Sequence, residues 1–168
     1  MAGDAVDGAV ARAVEDAEHL ARAVEIAARN VAEGGGPFGA LVRLGGRDVG
    51  AGGNRVTRDN DPTAHAEVVA IRAACAALGT FSLAGATLYS SCEPCPMCLT
   101  ASLWARVDRV VYAADRHDAA RGGFDDLAFY EMLARDRSTW AVPVEHVVTA
   151  GAVRPFEAWL GARSRVEY

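Results

Sequence analysis

No stretch of this 168-residue chain concentrates lysine and arginine: 17 basic residues are scattered among 22 acidic ones, for a net charge of -5. Proteins that follow a phosphate backbone carry a basic stripe, so this absence predicts no nucleic-acid partner. No apolar run reaches the roughly 18 residues that a spanning helix needs, which predicts no membrane partner. The chain opens without the charged-then-apolar pattern of a secretory leader and holds only four cysteines. Reduced thiols and a cytoplasmic address are therefore expected, not a disulfide framework. Repeats, low-complexity tracts and linkers are missing too. The length predicts one domain over residues 1–168, able to bury roughly 70% of its unfolded surface, with a mobile arm over residues 1–8.

What is present gathers in two segments, Thr63-Ala64-His65-Ala66-Glu67 and Ser91-Cys92-Glu93-Pro94-Cys95-Pro96-Met97-Cys98. H-x-E followed by P-C-x-x-C is the signature of zinc-dependent base deaminases. His65, Cys95 and Cys98 would give three protein ligands to a metal that prefers four, leaving one position for water. Water held there ionises near pH 7 instead of about 15.7, so Zn2+ is the expected cofactor. Glu67, two positions after the histidine, is the expected catalytic proton carrier.

Local sequence supports that geometry. Pro94 and Pro96 suit the first turn of a helix, where a missing N–H costs nothing, and a positive helix end favours thiolates. Asp61-Pro62-Thr63 precedes a helix expected over residues 64–78, with Ala66, Val69, Ala70, Ala73 and Ala77 at helical spacing and His65 and Glu67 in its first turn. A C-x-x-C alone would equally suit a redox pair or half of a structural zinc site; the upstream H-x-E tilts the reading toward catalysis. Cys92 could in principle be a fourth ligand. It is read instead as a strand end, and Cys75 as apolar filler.

Along the chain, Val10, Val14, Ala17, Leu20, Ala21, Val24, Ala27, Ala28 and Val31 predict an amphipathic helix over residues 9–33. A hairpin is expected from strands 38–44 and 49–53, joined by Gly45-Gly46-Arg47-Asp48. Further strands are expected over 86–90, 107–114 and 144–149, with helices ending near Arg106 and over 127–135 and 155–163. Residues 115–126 read as a functional loop. Strands alternating with helices after one hairpin predict an α/β fold, a three-layer α/β/α sandwich around a mixed five-stranded sheet.

The segments Gly35-Gly36-Pro37-Phe38-Gly39-Ala40, Asn60-Asp61-Pro62-Thr63-Ala64-His65-Ala66-Glu67, Ser91 to Cys98, Trp104-Ala105-Arg106, Gly123-Phe124-Asp125-Asp126 and Glu167-Tyr168 together resemble the bacterial guanine deaminases of the cytidine deaminase-like zinc hydrolase superfamily. The resemblance implies deamination of guanine to xanthine and ammonia. It further implies a purine base held by Asn54, Asp126 and Tyr168, with Phe38 and Trp104 lining the ring and Ala66 in the same substrate-binding group. It also implies a homodimer whose C-terminal segment, about residues 150–168, crosses as a swapped lid. Plainer roles stay open: Asn54 as a turn residue, Asp125 and Asp126 as helix caps, Phe38 and Trp104 as core. So do other activities: deamination of guanosine, another 2-amino purine or a triazine analogue, tRNA adenosine deamination, or a non-catalytic zinc-stabilised dimer.

Overall fold

The computed structural model describes the backbone of residues 2–167 and the side chains of residues 8–167. Alternation along β1 (Gly36–Leu44) sets the layering, because successive side chains of a strand leave opposite faces. Ala40 and Val42 join one apolar cluster with Ala66, Ala70 and Ala74, whereas Leu41 joins another with Ala23 and Tyr89. The first cluster packs α3 (Ala66–Leu78) against the sheet and the second packs α1 (Ala2–Ala32) on the reverse side. Glycines let both helices ride close. A Cβ on Gly39 would lie 2.4 Å from the Ala23 carbonyl, and one on Gly50 would lie 2.3 Å from that of Ala70.

The sheet has four strands in the order β2-β1-β3-β4, with β2 (Arg47–Asn54), β3 (Thr87–Cys92) and β4 (Arg109–Ala114). β1 pairs antiparallel with β2 and β3, and β3 pairs parallel with β4, so the sheet is mixed as expected. The crossover between the parallel pair is α4 (Pro96–Trp104). The expected fifth strand at residues 144–149 is not one: the segment finds no ladder partner among the described residues, and an extended segment becomes a strand only by pairing. The chain divides into two compact units, Met1–Tyr130 and Glu131–Tyr168. The second holds a short 3-10 turn (Arg137–Thr139) and α7 (Arg154–Gly161).

Other expectations shift for identifiable reasons. α1 starts at Ala2, taking in most of the arm. Its buried face is His19, Ala23, Ala27 and Asn30, while Val10, Val14, Val24 and Val31 are exposed. Contact with the sheet runs through small residues here, so residue size misled the choice of face. In α3, likewise, Ala73 and Ala77 face solvent and Ile71 and Ala74 are buried. The supposed loop at 115–126 contains α5 (Arg116–Arg121), started by Asp115, whose carboxylate accepts from the His117 and Asp118 N–H groups in a capping box. Two other helices complete the first unit: α2 (Val56–Asp59), and α6 (Asp126–Leu133), which starts within it.

Candidate active site

Two helix starts deliver the metal donors. His65 precedes α3 and Cys95 precedes α4, both with extended backbone and neither using its side chain to cap its helix. His65 is thus one position ahead of the expected first turn, which frees its ring to leave the helix axis. The Nδ1 of His65 lies 3.6 Å from the Cys95 Sγ, and donor atoms of His65, Cys95 and Cys98 all fall within 4.8 Å of one another. One imidazole and two thiols this close match the ligand chemistry of zinc.

The electrostatics fit a cation. The Cys95 thiol is pulled down to about 4, chiefly by the hydrogen bond from Cys98 and then by His65. The Cys98 thiol shifts the other way, because it donates that bond and is buried. His65 is raised, first by its bond to Cys95. Sulfurs that compete for one proton are ready to exchange it for a metal. Cys92 stands apart: its thiol donates to the Asp115 carbonyl at 3.6 Å, and burial pushes it up to about 11. It does not belong to the donor group.

Glu67, in the first turn of α3, is only 5% exposed, and its carboxylate accepts from the Ser90 hydroxyl at 3.1 Å. Burial raises its pKa above the ordinary carboxylate range. Glu67, His65 and Cys95 share a cavity of about 210 Å3 with Phe38, Asn54 and Asp126, joining six of the ten residues singled out from the sequence. Asn54 ends β2, where its Oδ1 accepts from the Val56 N–H at 3.2 Å and its backbone carbonyl accepts from buried Asn30 at 2.8 Å. It is a turn residue and a cavity residue at once. Asp126 opens α6, and its carboxyl is raised by burial and then by Cys95.

Three described residues of the ten do not line the cavity: Cys98, fully buried, belongs to the site through the donor group, and Ala66 and Trp104 do not reach it. Ala66 is fully buried and packs with Ala70, one turn on, in the sheet-facing core. Trp104 ends α4 and is 60% exposed; Cys98 and Ser102 face inward on that helix, and two further residues of rotation turn Trp104 away from them. Tyr168 lies outside the described residues. Sequence reasoning missed Phe124, whose ring meets Phe38 edge-on at 4.7 Å, and Glu93, which lines the same cavity. Both stand inside motifs already singled out, so their position was the available signal. A larger groove of about 350 Å3 holds Arg29, Arg55 and Arg58 but none of the metal donors, and Asp59 and Glu33 pair with Arg55 and Arg58.

Residues 13–114 match the family model of the cytidine and deoxycytidylate deaminase zinc-binding region. A guanine deaminase from Bacillus subtilis is 47% identical over 150 residues, covering 89% of this chain and 96% of its own. An X-ray structure of guanine deaminase from that organism superposes with a TM-score of 0.86 at 46% identity, over 90% of this chain and 97% of the other. A tRNA-specific adenosine deaminase from Bacillus subtilis is 38% identical, but over only 60% of this chain and 62% of its own. Among the described residues no helix is long and apolar enough to cross a membrane. With likeness to the first relative running far beyond the metal-binding segments, the chain belongs to the guanine deaminases of the cytidine and deoxycytidylate deaminase zinc-binding family.

Proposed function

We propose that this chain hydrolyses guanine to xanthine and ammonia. The observation that carries the reading is buried Glu67 beside the His65, Cys95 and Cys98 donors, in a cavity that also holds Asn54, Asp126 and the Phe38–Phe124 pair. Zinc, which His65, Cys95 and Cys98 would hold, would supply the Lewis acidity that brings water ionisation near neutral pH. Glu67 manages the protons. Its carboxylate takes one proton from the attacking water and passes it to the ring nitrogen beside C2 as the C2–O bond forms. It then takes the second from the new C2 hydroxyl and delivers it to the amine, which leaves as ammonia with the electrons of the broken C2–N bond. A carboxyl raised by burial suits both directions of transfer.

Asn54 and Asp126 hold the purine edge. The Asn54 Oδ1 is engaged by Val56, so its amide N–H groups serve the lactam oxygen, while the Asp126 carboxylate accepts from ring N–H groups. Phe38 and Phe124 flank the ring. The cavity, at about 210 Å3, falls below the roughly 300–1,000 Å3 of drug-sized ligand sites, which supports a free base over a nucleoside.

The working unit is a cytoplasmic homodimer in which the C-terminal segment crosses and Tyr168 closes the neighbouring site. Exposed Val148, Phe156 and Leu160 support a cover supplied by a second copy. Ammonia release measured against guanine, guanosine, cytosine, cytidine and adenine tests the activity. Guanine alone is expected to react at a high rate; preference for guanosine or adenine would overturn the substrate assignment.

A further inference from the structure

Among the described residues the Asp126 carboxylate has no hydrogen-bond partner, so its position in the cavity depends on what anchors the first turn of α6. That anchor is visible one turn on. Tyr130, on the same helix face as Asp126, donates its hydroxyl to the Pro94 carbonyl at 2.6 Å. Pro94 immediately precedes Cys95, the metal donor. The Tyr130 ring in turn lies 3.5 Å from the Arg116 guanidinium carbon. Arg116 forks onto the Glu93 carboxylate through Nε at 2.9 Å and through Nη2, and its backbone N–H reaches the same carboxylate at 3.0 Å. The Glu93 N–H closes the set by donating to the Ala114 carbonyl at 2.8 Å.

We propose that Arg116 and Tyr130 are positioning residues, which clamp α6 to the Glu93-Pro94-Cys95 segment and thereby set guanine affinity through Asp126. The assignment of the ligand rests on the guanine reading above. The clamp joins three pieces that sequence separates: the segment before the metal donors, the start of α5 and the start of α6. Each layer has its own reason to hold. A guanidinium matches a carboxylate with two parallel bonds, and its flat face stacks on an aromatic ring. The phenol then spends its hydroxyl on a carbonyl that a proline-rich turn leaves without a helical partner. Arg116 also neutralises Glu93, a carboxylate on the cavity wall that would otherwise repel Asp126 and compete for purine N–H groups.

A mutant cycle on the zinc-loaded enzyme tests this. Arg116→Ala and Tyr130→Phe should each raise KM for guanine by roughly tenfold with kcat within about twofold, as expected when a binding contact is misplaced and the chemistry is intact. Arg116→Lys, which keeps the charge and loses the fork, should fall between wild type and Arg116→Ala. In an Asp126→Asn background, adding Arg116→Ala should change KM by less than about twofold, because the contact it positions is already altered. Amide exchange of residues 126–133 gives a readout independent of turnover and should accelerate in both single variants. The clamp is overturned if exchange there matches wild type, if kcat falls while KM holds, or if the Arg116 effect persists undiminished beside Asp126→Asn. A wild type that exchanges as expected but leaves guanine untouched would remove the guanine reading, and the exchange result alone would then decide the clamp. Zinc content and melting of each variant separate these outcomes from misfolding, and the milder Tyr130→Phe keeps the test alive if Arg116→Ala fails to fold.

Discussion

The two compact units handle their apolar residues in opposite ways. Met1–Tyr130 contains every buried residue among those described, from Ala23 against the sheet to Cys98 at the metal site. The described residues of Glu131–Tyr168 include none, yet Val147, Val148, Phe156 and Leu160 are each more than two-thirds exposed. The first unit therefore builds its own core and its own donor set. The second has apolar groups that water disfavours and no interior to hold them, which is why a second copy of the chain is the cover proposed for it.

The sharpest way to break the comparison is to remove chemistry from the self-sufficient unit without unfolding it. Glu67→Ala should lower turnover by about 10^4-fold while bound zinc is retained, measured by ammonia release and metal analysis. Retained activity would end the proton-carrier role. Next in size is a pair of truncations. Leu41→Ala empties a site that is 1% exposed and should cost about 3 kcal/mol in urea unfolding. Val148→Ala, at a site 86% exposed, should stay within about 0.5 kcal/mol for dilute protein and weaken self-association in sedimentation. Equal costs for the two would mean that the units do not differ as described.

The same contrast explains how much could be read from the sequence. That His65, Glu67, Cys95 and Cys98 come together was legible because zinc chemistry fixes residue type and spacing together, and local helix signals fix where they sit. The layers followed from strands alternating with helices after one hairpin, and the hairpin from Gly45-Gly46-Arg47-Asp48 between two strand-like runs. The buried face of α1 did not follow, because Ala23 and Ala27 pack closely only by virtue of Gly39 on a distant strand. The fifth strand failed for a related reason: valines at 142–148 signal a strand, but pairing depends on a partner that no local pattern records. Glu93, Phe124 and the Arg116–Tyr130 stack were hidden because their roles arise between segments, not within them.

A smaller expected effect tests the second unit directly. Deleting Tyr168 should reduce kcat/KM for guanine by about tenfold while the melting temperature stays unchanged, since loss of one hydrogen bond to a buried polar group is worth about 1–3 kcal/mol. Normal turnover by the shortened chain would remove the closing role proposed for the C-terminal segment.

The least effect expected lies in the first unit, at the clip that ties α1 to the sheet. Asp16 accepts from Arg109 through Nη1 at 2.7 Å and Nη2 at 2.6 Å, and from the Tyr89 hydroxyl at 2.9 Å. The Arg109 guanidinium holds the Asp16 carboxyl below its usual range. A carboxyl that is more acidic in the folded state adds stability above its unfolded pKa of about 3.9 and loses it as pH falls through the folded value. Tyr89 works at the other limit: burial, then Asp16, pushes it up to about 12. Its contribution is complete below an unfolded value of about 10 and fades as pH rises through the folded one. Because the Arg109 side chain is 38% exposed, screening limits the Asp16 pair to about 1 kcal/mol. Unfolding of wild type and Asp16→Asn, compared from pH 7 down to pH 2, should therefore show a gap of that size at neutral pH that closes on acidification. Curves that stay parallel over the whole range would mean that the clip holds α1 by shape and not by charge.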